Sequence, residues 1–282
     1  MMMLNNYHLD ELIKRALEED IGSGDITTLA TVERTTQISG KFIAKEAGIV
    51  CGLPLLQRVF ELLDPTISTE YLVSEGDTLQ KGDIIAEISG NARGILTGER
   101  VALNFLQLLS GIATRTKKAV EEVSTTKAII TDTRKTTPGL RIIEKYAVRI
   151  GGGSSHRYNL AEGVLIKDNH ISAAGGITEA IARARARASH MLKIEVEVEN
   201  FQQIEEALQN GADIIMLDNM SIKDMQKAVH LIDGRALVEA SGNMGEKNLL
   251  AVAETGVDLI SIGGLTHTIR ALDISLRFEE LA

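Results

Sequence analysis

Cysteine is almost absent from this sequence, because Cys51 is the only one in 282 residues. A single cysteine excludes an intramolecular disulfide and a cysteine-based metal cluster, and we expect its side chain to be a small buried apolar group. The sequence also lacks a run of the roughly 20 apolar residues that a transmembrane helix needs. Since residues 1–20 contain no apolar signal core either, a cytoplasmic protein is expected.

A surplus of positive charge is missing as well. The chain has 30 Lys and Arg residues against 39 Asp and Glu residues, which gives a formal net charge of −9 and a pI near 5.3. This balance argues against general nucleic-acid affinity, which needs a basic face. The glycine-rich stretches at 22–24, 151–153 and 263–264 match neither a P-loop nor a dinucleotide fingerprint. The sequence therefore predicts a phosphorylated substrate that is neither a P-loop nucleotide nor a Rossmann dinucleotide.

The N-terminal part of the sequence has the patterns of a small α+β domain, which we place at residues 1–115. Residues 31–50 and 68–89 alternate polar and apolar side chains, as antiparallel strands do. The longest helical pattern follows at 97–123, with Thr97 as its predicted N-cap. Because this pattern leaves little polar face, we expect the helix to be buried between domains or subunits.

From residue 127 onward the sequence repeats a strand, a polar turn and a helix. Strands are predicted at 127–132, 163–167, 193–198, 213–217, 235–239 and 257–262, and helices at 138–148, 176–188, 200–209, 221–231 and 245–255. This alternation predicts a parallel sheet covered by helices, and the number of repeats favours a closed or nearly closed barrel at 116–269. A doubly wound sheet is the alternative, although it would usually carry a glycine fingerprint after its first strand.

The last segment, 271–278, alternates apolar and polar side chains, which is the pattern of a strand with one buried face. We predict that residues 270–282 leave the barrel domain and that their strand joins the sheet of the N-terminal domain.

In a barrel of this kind the active site forms at the carboxyl ends of the strands. Ionisable or glycine residues follow all six predicted strands, and the cations of the region stand against the negative charge of the whole chain. Five of these cations suit carboxylates and phosphates: Arg134, Lys135, His156, Arg157 and Lys167. Small glycine-rich loops that suit a phosphate follow the last two strands: Ser241, Gly242 and Asn243, then Ser261, Gly263 and Gly264.

Two carboxylates, Glu197 and Asp218, lie one predicted strand apart among these cations. They suit Mg²⁺, which usually binds a few protein carboxylates together with substrate phosphates. Alternation along the third strand puts Glu195, Glu197 and Glu199 on one face, so at least one is expected to point into the barrel. Position relative to Asp218 favours Glu197, but the pattern leaves Glu195 open.

Several long motifs in this sequence resemble those of the quinolinate phosphoribosyltransferase family. The motifs cover essentially the whole chain: 19–27 (EDIGSGDIT), 99–104 (ERVALN), 133–141 (TRKTTPGLR), 151–157 (GGGSSHR), 167–170 (KDNH), 241–243 (SGN) and 261–267 (SIGGLTH). The resemblance implies an N-terminal α+β open-sandwich domain and an incomplete (β/α) barrel that lacks one strand of the usual eight. It also implies a head-to-tail homodimer, alone or within a higher oligomer, in which Arg100 enters the neighbouring subunit's site.

The reaction implied by the resemblance belongs to NAD biosynthesis. Quinolinate and phosphoribosyl pyrophosphate, with Mg²⁺, give nicotinate mononucleotide, pyrophosphate and CO₂. The resemblance assigns quinolinate to the cations Arg100, Arg134, Lys135, His156, Arg157 and Lys167, and it adds Thr133 to the substrate contacts. It assigns the ribose hydroxyls and Mg²⁺-pyrophosphate to Glu197 and Asp218, and the 5′-phosphate to 241–243 and 261–264. Lys135, Glu197 and Asp218 are the residues expected to be catalytic.

Three other functions are compatible with some of these residues. A relative of the same fold would act on another substrate, but the complete set of carboxylate-binding cations argues against it. A barrel lyase or isomerase would use Lys135 or Lys167 as a Schiff-base nucleophile, which borohydride trapping would expose. A non-enzymatic protein would only bind anions, and it would leave Glu197 and Asp218 without a purpose.

Overall fold

The computed structural model describes residues 6–245 and 247–278, which form two compact units. The first unit comprises the chain up to Lys117, residues 137–152 and the chain from Thr268 onward, and the second comprises 118–136 and 153–267. No helix in this described part of the chain has the length and apolar character that crossing a membrane requires. In chain order the elements are α1 Asn6–Ile21, α2 Ile26–Thr31, β1 Gln37–Ala44, β2 Gly48–Ile49, α3 Leu53–Leu63, β3 Ser68–Tyr71, β4 Thr78–Leu79, β5 Ile84–Asn91, α4 Ala92–Glu122, β6 Ile129–Thr131, α5 Arg141–Ile150, β7 Val164–Ile166, α6 Asp168–Ala174, α7 Ile177–Arg187, β8 Ile194–Val198, α8 Phe201–Gln209, β9 Ile214–Asp218, α9 Ile222–Ile232, β10 Leu237–Ser241, α10 Leu249–Ala253, β11 Leu259–Ser261, α11 Gly264–His267 and β12 Ile274–Phe278.

The first unit is built on a four-stranded antiparallel sheet with the order β12-β1-β5-β3. β12 pairs with β1 so that Leu276 lies opposite Phe42, which confirms the prediction that the C-terminal strand joins this sheet. Phe42 is buried and packs against Phe60 of α3, with ring centroids 6.3 Å apart. Cys51 is also buried, as expected for a small apolar side chain.

The long helix α4 begins earlier than predicted, so the assignment of Thr97 as its N-cap is wrong. β5 ends at Asn91 and runs directly into the helix, where the Asn91 side chain accepts a hydrogen bond from the N–H of Arg93 at 3.0 Å. Thr97 lies within the helix, and its hydroxyl donates to a carboxylate oxygen of Asp25 at 3.2 Å. The available signal in the sequence was Gly90-Asn91, because glycine interrupts a strand pattern and asparagine is a favoured N-cap.

The second unit contains a six-stranded parallel sheet with the order β6-β11-β10-β9-β8-β7. The first strand of the unit, β6, pairs with the last, β11, with Thr131 beside Ser261. This pairing of first and last strands is typical of a barrel and differs from the doubly wound alternative. Ser154 adds a parallel bridge to Thr131, so six strands and one bridging segment form the predicted incomplete barrel.

All six strands predicted in this region are present, and α7, α8 and α9 agree with their predicted bounds to within one residue. α10 is shorter than the predicted helix at 245–255. α6 was not predicted, because none of its seven described residues is buried and its sequence therefore has no apolar periodicity.

The helix predicted at 138–148 is α5, and its contacts place it in the first unit rather than with the barrel strands. A Cβ atom at Gly151, which follows α5, would lie only 2.5 Å from the carbonyl oxygen of Ala113 and 2.6 Å from Cβ of Thr116. This close approach within the first unit explains why residues 137–152 pack there. The predicted domain bounds, with a division at 115/116, stay a prediction.

Candidate active site

The carboxyl ends of the parallel strands bring most of the predicted site residues to one edge of the second unit. The strand register places Asp218 beside Ser241, and Thr131 beside Ser261. Since neighbouring parallel strands end at the same edge, the loops that follow β6, β9, β10 and β11 open on one region. Arg100 is the exception among the predicted residues, because it lies exposed on α4 in the first unit.

Two guanidinium groups in this region lie close enough to repel each other. Burial, followed by the charge of Arg134, lowers the pKa of Arg157, and only the charge of Glu195 acts in the opposite direction. One Nη of Arg157 donates to the carbonyl oxygen of Gly163 at 2.8 Å. The Nε of Arg157 is buried and has no hydrogen-bond partner among the described residues. A pair of crowded cations with a buried, unused donor is suited to an anion, and to a carboxylate in particular.

Lys135 is held at the junction of two loops. Its N–H donates to the hydroxyl oxygen of Thr133 at 3.0 Å, and its carbonyl oxygen accepts from the hydroxyl of Thr266 at 2.8 Å. A Cβ atom at Gly263 would lie 3.0 Å from Cδ of Lys135, so a larger residue there would crowd the lysine side chain. The structure therefore brings Thr133 and Lys135 to the glycine-rich loop after β11, as the predicted site requires.

The two residues Lys167 and Glu197 form a direct ion pair between neighbouring strands β7 and β8. The Glu197 side chain is only 15% exposed, whereas that of Lys167 is 44% exposed. From the sequence these residues were expected to have separate partners, an acid for the lysine and a magnesium ion for the glutamate. In the structure each neutralises the other, so any anion or cation that binds here competes with this pair.

The loop after β10 has a tight backbone conformation that fixes it against the end of β9. Gly242 has φ 93°, and Asn219 and Asn243 have φ values of 54° and 52°. The N–H of Asn219 donates to the carbonyl oxygen of Ser241 at 3.1 Å, and its side-chain amide donates to Asp218 at 2.9 Å. Compact loops of small residues at this edge of a barrel can bind phosphate through backbone N–H groups.

A largely buried charged cluster of the second unit consists of His156, Glu195 and Glu239. His156 Nε2 lies 3.1 Å from Glu195 Oε2 and 3.7 Å from Glu239 Oε1. The ligand atoms of all three side chains lie within 4.8 Å of one another. Burial, and then the neighbouring charge of Glu195, raises the pKa of Glu239 to about 8.

This cluster shows how Glu195 and Glu197 differ, which the sequence left open, and it includes Glu239, for which no specific role was predicted from the sequence. Glu195 is buried and faces His156, while Glu197 lies nearer the strand end and faces Lys167. Glu239 received no role from the sequence, although an acidic residue inside the apolar strand Leu237–Ser241 was the available signal.

The carboxylates Glu197 and Asp218 fit the predicted magnesium site by their chemistry. They lie near the carboxyl ends of adjacent parallel strands, β8 and β9, and both are partly exposed, so substrate oxygens and water can complete the coordination of a hard cation. The cluster of three buried side chains lies on a different set of residues and offers a nitrogen ligand, which Mg²⁺ does not favour.

Comparison with known proteins gives matches along nearly the whole chain. The family models for the N-terminal and C-terminal domains of quinolinate phosphoribosyl transferase match residues 25–110 and 112–277. A probable nicotinate-nucleotide pyrophosphorylase (carboxylating) of Bacillus subtilis is 44% identical over 273 residues, which cover 97% of this chain and 94% of that protein. Two solved structures are also similar. NadC from Streptococcus pyogenes has a TM-score of 0.93 and 44% identity, and covers 99% of this chain and 100% of its own. The nicotinate-nucleotide pyrophosphorylase from Francisella tularensis has a TM-score of 0.94 and 41% identity, with 98% of each chain covered.

Proposed function

This chain belongs to the quinolinate phosphoribosyltransferase family, and we propose how its residues divide the work of that reaction. The reaction transfers a phosphoribosyl group from phosphoribosyl pyrophosphate to quinolinate and releases pyrophosphate and CO₂. The product, nicotinate mononucleotide, leads to NAD. Both substrates are anions, which agrees with cations gathered at one edge of a barrel in a chain of net charge −9.

Arg134 and Arg157 bind the two carboxylates of quinolinate in this proposal. The single observation that carries the assignment is the pair of mutually repelling guanidinium groups, one of which has a buried and unused Nε donor. A dianion would relieve that repulsion and satisfy the donor at the same time. Lys135, whose stem lies close to Gly263 in the loop after β11, also contacts quinolinate in this proposal.

The phosphoribosyl group lies along the remaining strand ends in this proposal. Loops 241–243 and 261–264 hold the 5′-phosphate, and Glu197 and Asp218 hold the ribose hydroxyls and the magnesium ion. Mg²⁺, when bound, supplies positive charge against the pyrophosphate leaving group. Since Lys167 neutralises Glu197 in the structure, we expect Lys167 to move to the acid when the cation and ribose engage Glu197.

The chemistry then depends mainly on positioning. The ring nitrogen of quinolinate bonds to the ribose carbon while the bond from that carbon to pyrophosphate breaks, and the carbon carries positive charge in the transition state. The ribosylated ring nitrogen is cationic. Its positive charge therefore stabilises the electron pair that stays on the adjacent ring carbon when the carboxylate leaves as CO₂, and that carbon then takes up a proton. The cations around the acid keep both reactants in line.

We also propose a homodimer in which Arg100 of one subunit completes the site of the other. Arg100 is exposed on α4 beside the buried residues 101–103, which is the placement expected of a cation that acts across an interface. The cytoplasmic location and any higher oligomer stay predictions.

The test of this function is a direct assay. Purified protein is incubated with quinolinate, phosphoribosyl pyrophosphate and Mg²⁺, and CO₂ and nicotinate mononucleotide are followed together. We expect equal amounts of both products, and neither product when nicotinate replaces quinolinate. Absence of both products from folded protein would show that quinolinate is the wrong acid. Product formed from nicotinate would contradict the role of the second carboxylate.

A further inference from the structure

The histidine in the buried cluster has both ring nitrogens engaged within the second unit. Nδ1 of His156 accepts a hydrogen bond from the backbone N–H of Arg157 at 2.8 Å, so this nitrogen carries no proton. The ring proton is therefore on Nε2, which faces Glu195 at 3.1 Å. The backbone N–H of His156 in turn donates to Asp132 at 2.9 Å. The imidazole thus links the backbone of Arg157 to the acidic pair inside the barrel.

The two acidic residues of the cluster share one negative charge. Glu239 is 1% exposed and Glu195 is 4% exposed, so two ionised carboxylates there would be costly. A raised pKa of about 8, caused by burial and by Glu195, keeps the proton on Glu239 at neutral pH. Glu195 then remains the acceptor for the Nε2–H of His156. The groups that face Glu239 are Glu195 from β8, His156, and the hydroxyl of Ser261 from β11.

From this geometry we propose that Glu239 is a positioning residue that acts through Glu195 and His156 to hold Arg157 at the acid-binding site. The inference rests on the proposed function, because it takes Arg157 to contact quinolinate. Burying three polar side chains inside a barrel costs desolvation free energy, and apolar residues of the same size would usually make the fold at least as stable. The presence of this cluster is explained if it fixes the orientation of the Arg157 backbone, because the guanidinium of Arg157 carries the unused donor.

Glu239→Leu and Glu239→Gln separate this role from simple packing. Leucine removes the polar link, and we expect the KM for quinolinate to rise by about tenfold or more. The KM for phosphoribosyl pyrophosphate is expected to rise less, because Glu239 contacts the phosphate loop only through the hydroxyl of Ser261. Glutamine keeps the size and a donor–acceptor pair like that of the protonated acid, so its quinolinate KM at neutral pH is expected to match the original protein. The matched control is Thr255→Val, which removes a buried hydroxyl that bonds to the carbonyl of Val252. It is expected to lower Tm without changing either KM.

The pH dependence of the quinolinate KM distinguishes this positioning role from a purely structural role, which would leave that dependence unchanged. As pH rises through about 8, Glu239 loses its proton beside Glu195, and the quinolinate KM of the original protein is expected to rise. The same KM in Glu239→Gln is expected to stay flat across that range. An unchanged quinolinate KM in Glu239→Leu, or the same alkaline rise in Glu239→Gln, would overturn the proposal. So would a metal ion that copurifies at one per chain and is lost from Glu239→Leu. If the original protein releases no CO₂ from quinolinate, the proposed function itself has failed.

Discussion

At the scale of single residues, Lys135 is a cation that can be replaced to test quinolinate binding with little expected effect on the fold. Its side chain is exposed, so replacing it with Ala is expected to leave Tm nearly unchanged. Loss of a charge-assisted hydrogen bond, worth about 1.5–3 kcal/mol, is expected to weaken quinolinate binding about ten- to a hundredfold. Calorimetric titration of Lys135→Ala with quinolinate, beside a thermal melt, measures both quantities.

Lys127 provides the matched control for this variant. It is an exposed lysine at the amino side of the same strand, β6, and its Nζ pairs with Asp258 at 2.7 Å. Lys127→Ala removes the same charge far along the strand from the carboxyl end, so quinolinate affinity is expected to stay the same. Equal affinities in Lys135→Ala, Lys127→Ala and the original protein would show that Lys135 does not bind the acid.

The glutamates of β8 show where sequence reasoning ends at this scale. Glu195 and Glu197 are two residues apart, so alternation correctly puts both on one face of the strand. Alternation does not show, however, how far inside the barrel each side chain lies. That position determines that Glu195 contacts His156 while Glu197 contacts Lys167. The cations were identified from their residue type and spacing. Their pairing with carboxylates was not, because it depends on which strands are neighbours.

At the scale of elements, Gly242 allows the loop after β10 to approach the end of β9 closely. An added Cβ at Gly242 would lie 2.2 Å from the side-chain oxygen of Asn219, and φ 93° is itself unfavourable for alanine. Gly242→Ala is therefore expected to lower the free energy of unfolding by about 1–2 kcal/mol or more. Because Asn219 must move, the KM for phosphoribosyl pyrophosphate is also expected to rise about tenfold.

Gly211→Ala distinguishes the loss of loop geometry from the loss of stability. Gly211 also has a left-handed φ, 73°, but a Cβ added there would have no described atom within 4 Å. It precedes β9 and is therefore at the opposite end of that strand. This variant is expected to lose stability from its backbone conformation alone, by about 1–2 kcal/mol, with no change in KM. A KM that changes equally in both variants, measured by initial rates, would contradict a phosphate-binding role for the loop at 241–243.

Elements with a buried face were predictable, and elements without one were not. α7, α8 and α9 have apolar periodicity and were placed to within one residue. α6 is a helix with no buried residue among those described, and α2 has only six residues, so neither has a pattern to detect. α2 is capped by Asp25, which accepts from the N–H of Thr28 at 3.0 Å. That cap was visible as an acidic residue after a glycine, but turn chemistry alone gives the same signal.

At the scale of the whole molecule, the number of strand–helix repeats favoured a barrel, and the pairing of β6 with β11 confirms it. The bridge at Ser154 was not predictable, because residues 151–155 are glycine and serine with no strand pattern. The packing of 137–152 with the first unit was also missed. It depends on the contact at Gly151, which joins positions far apart in the sequence.

The proposed dimer predicts that activity depends on how two different variant subunits combine. If Arg100 acts in the neighbouring site, Arg100→Ala and Lys135→Ala each inactivate both sites of their own homodimer. In a mixed dimer, one site combines an intact Lys135 with the partner subunit's intact arginine, while the other site has lost both. Random mixing gives mixed dimers as half of the total, so about a quarter of the original activity is expected to return. Coexpression with two affinity tags isolates the mixed dimer, which has one intact site of two and is expected to have about half of the original activity.

Arg134→Ala combined with Lys135→Ala is the control for this recovery. Both residues follow β6 in the second unit of the same chain, so mixing them leaves every site with one defect, and no activity is expected to return. Recovery in this control would mean that the subunits exchange more than Arg100. No recovery with Arg100→Ala, from mixed dimers shown to have formed, would place Arg100 in its own subunit's site or outside the active site. Arg100 would then be an ordinary exposed charge on α4, since an exposed arginine does not require a partner.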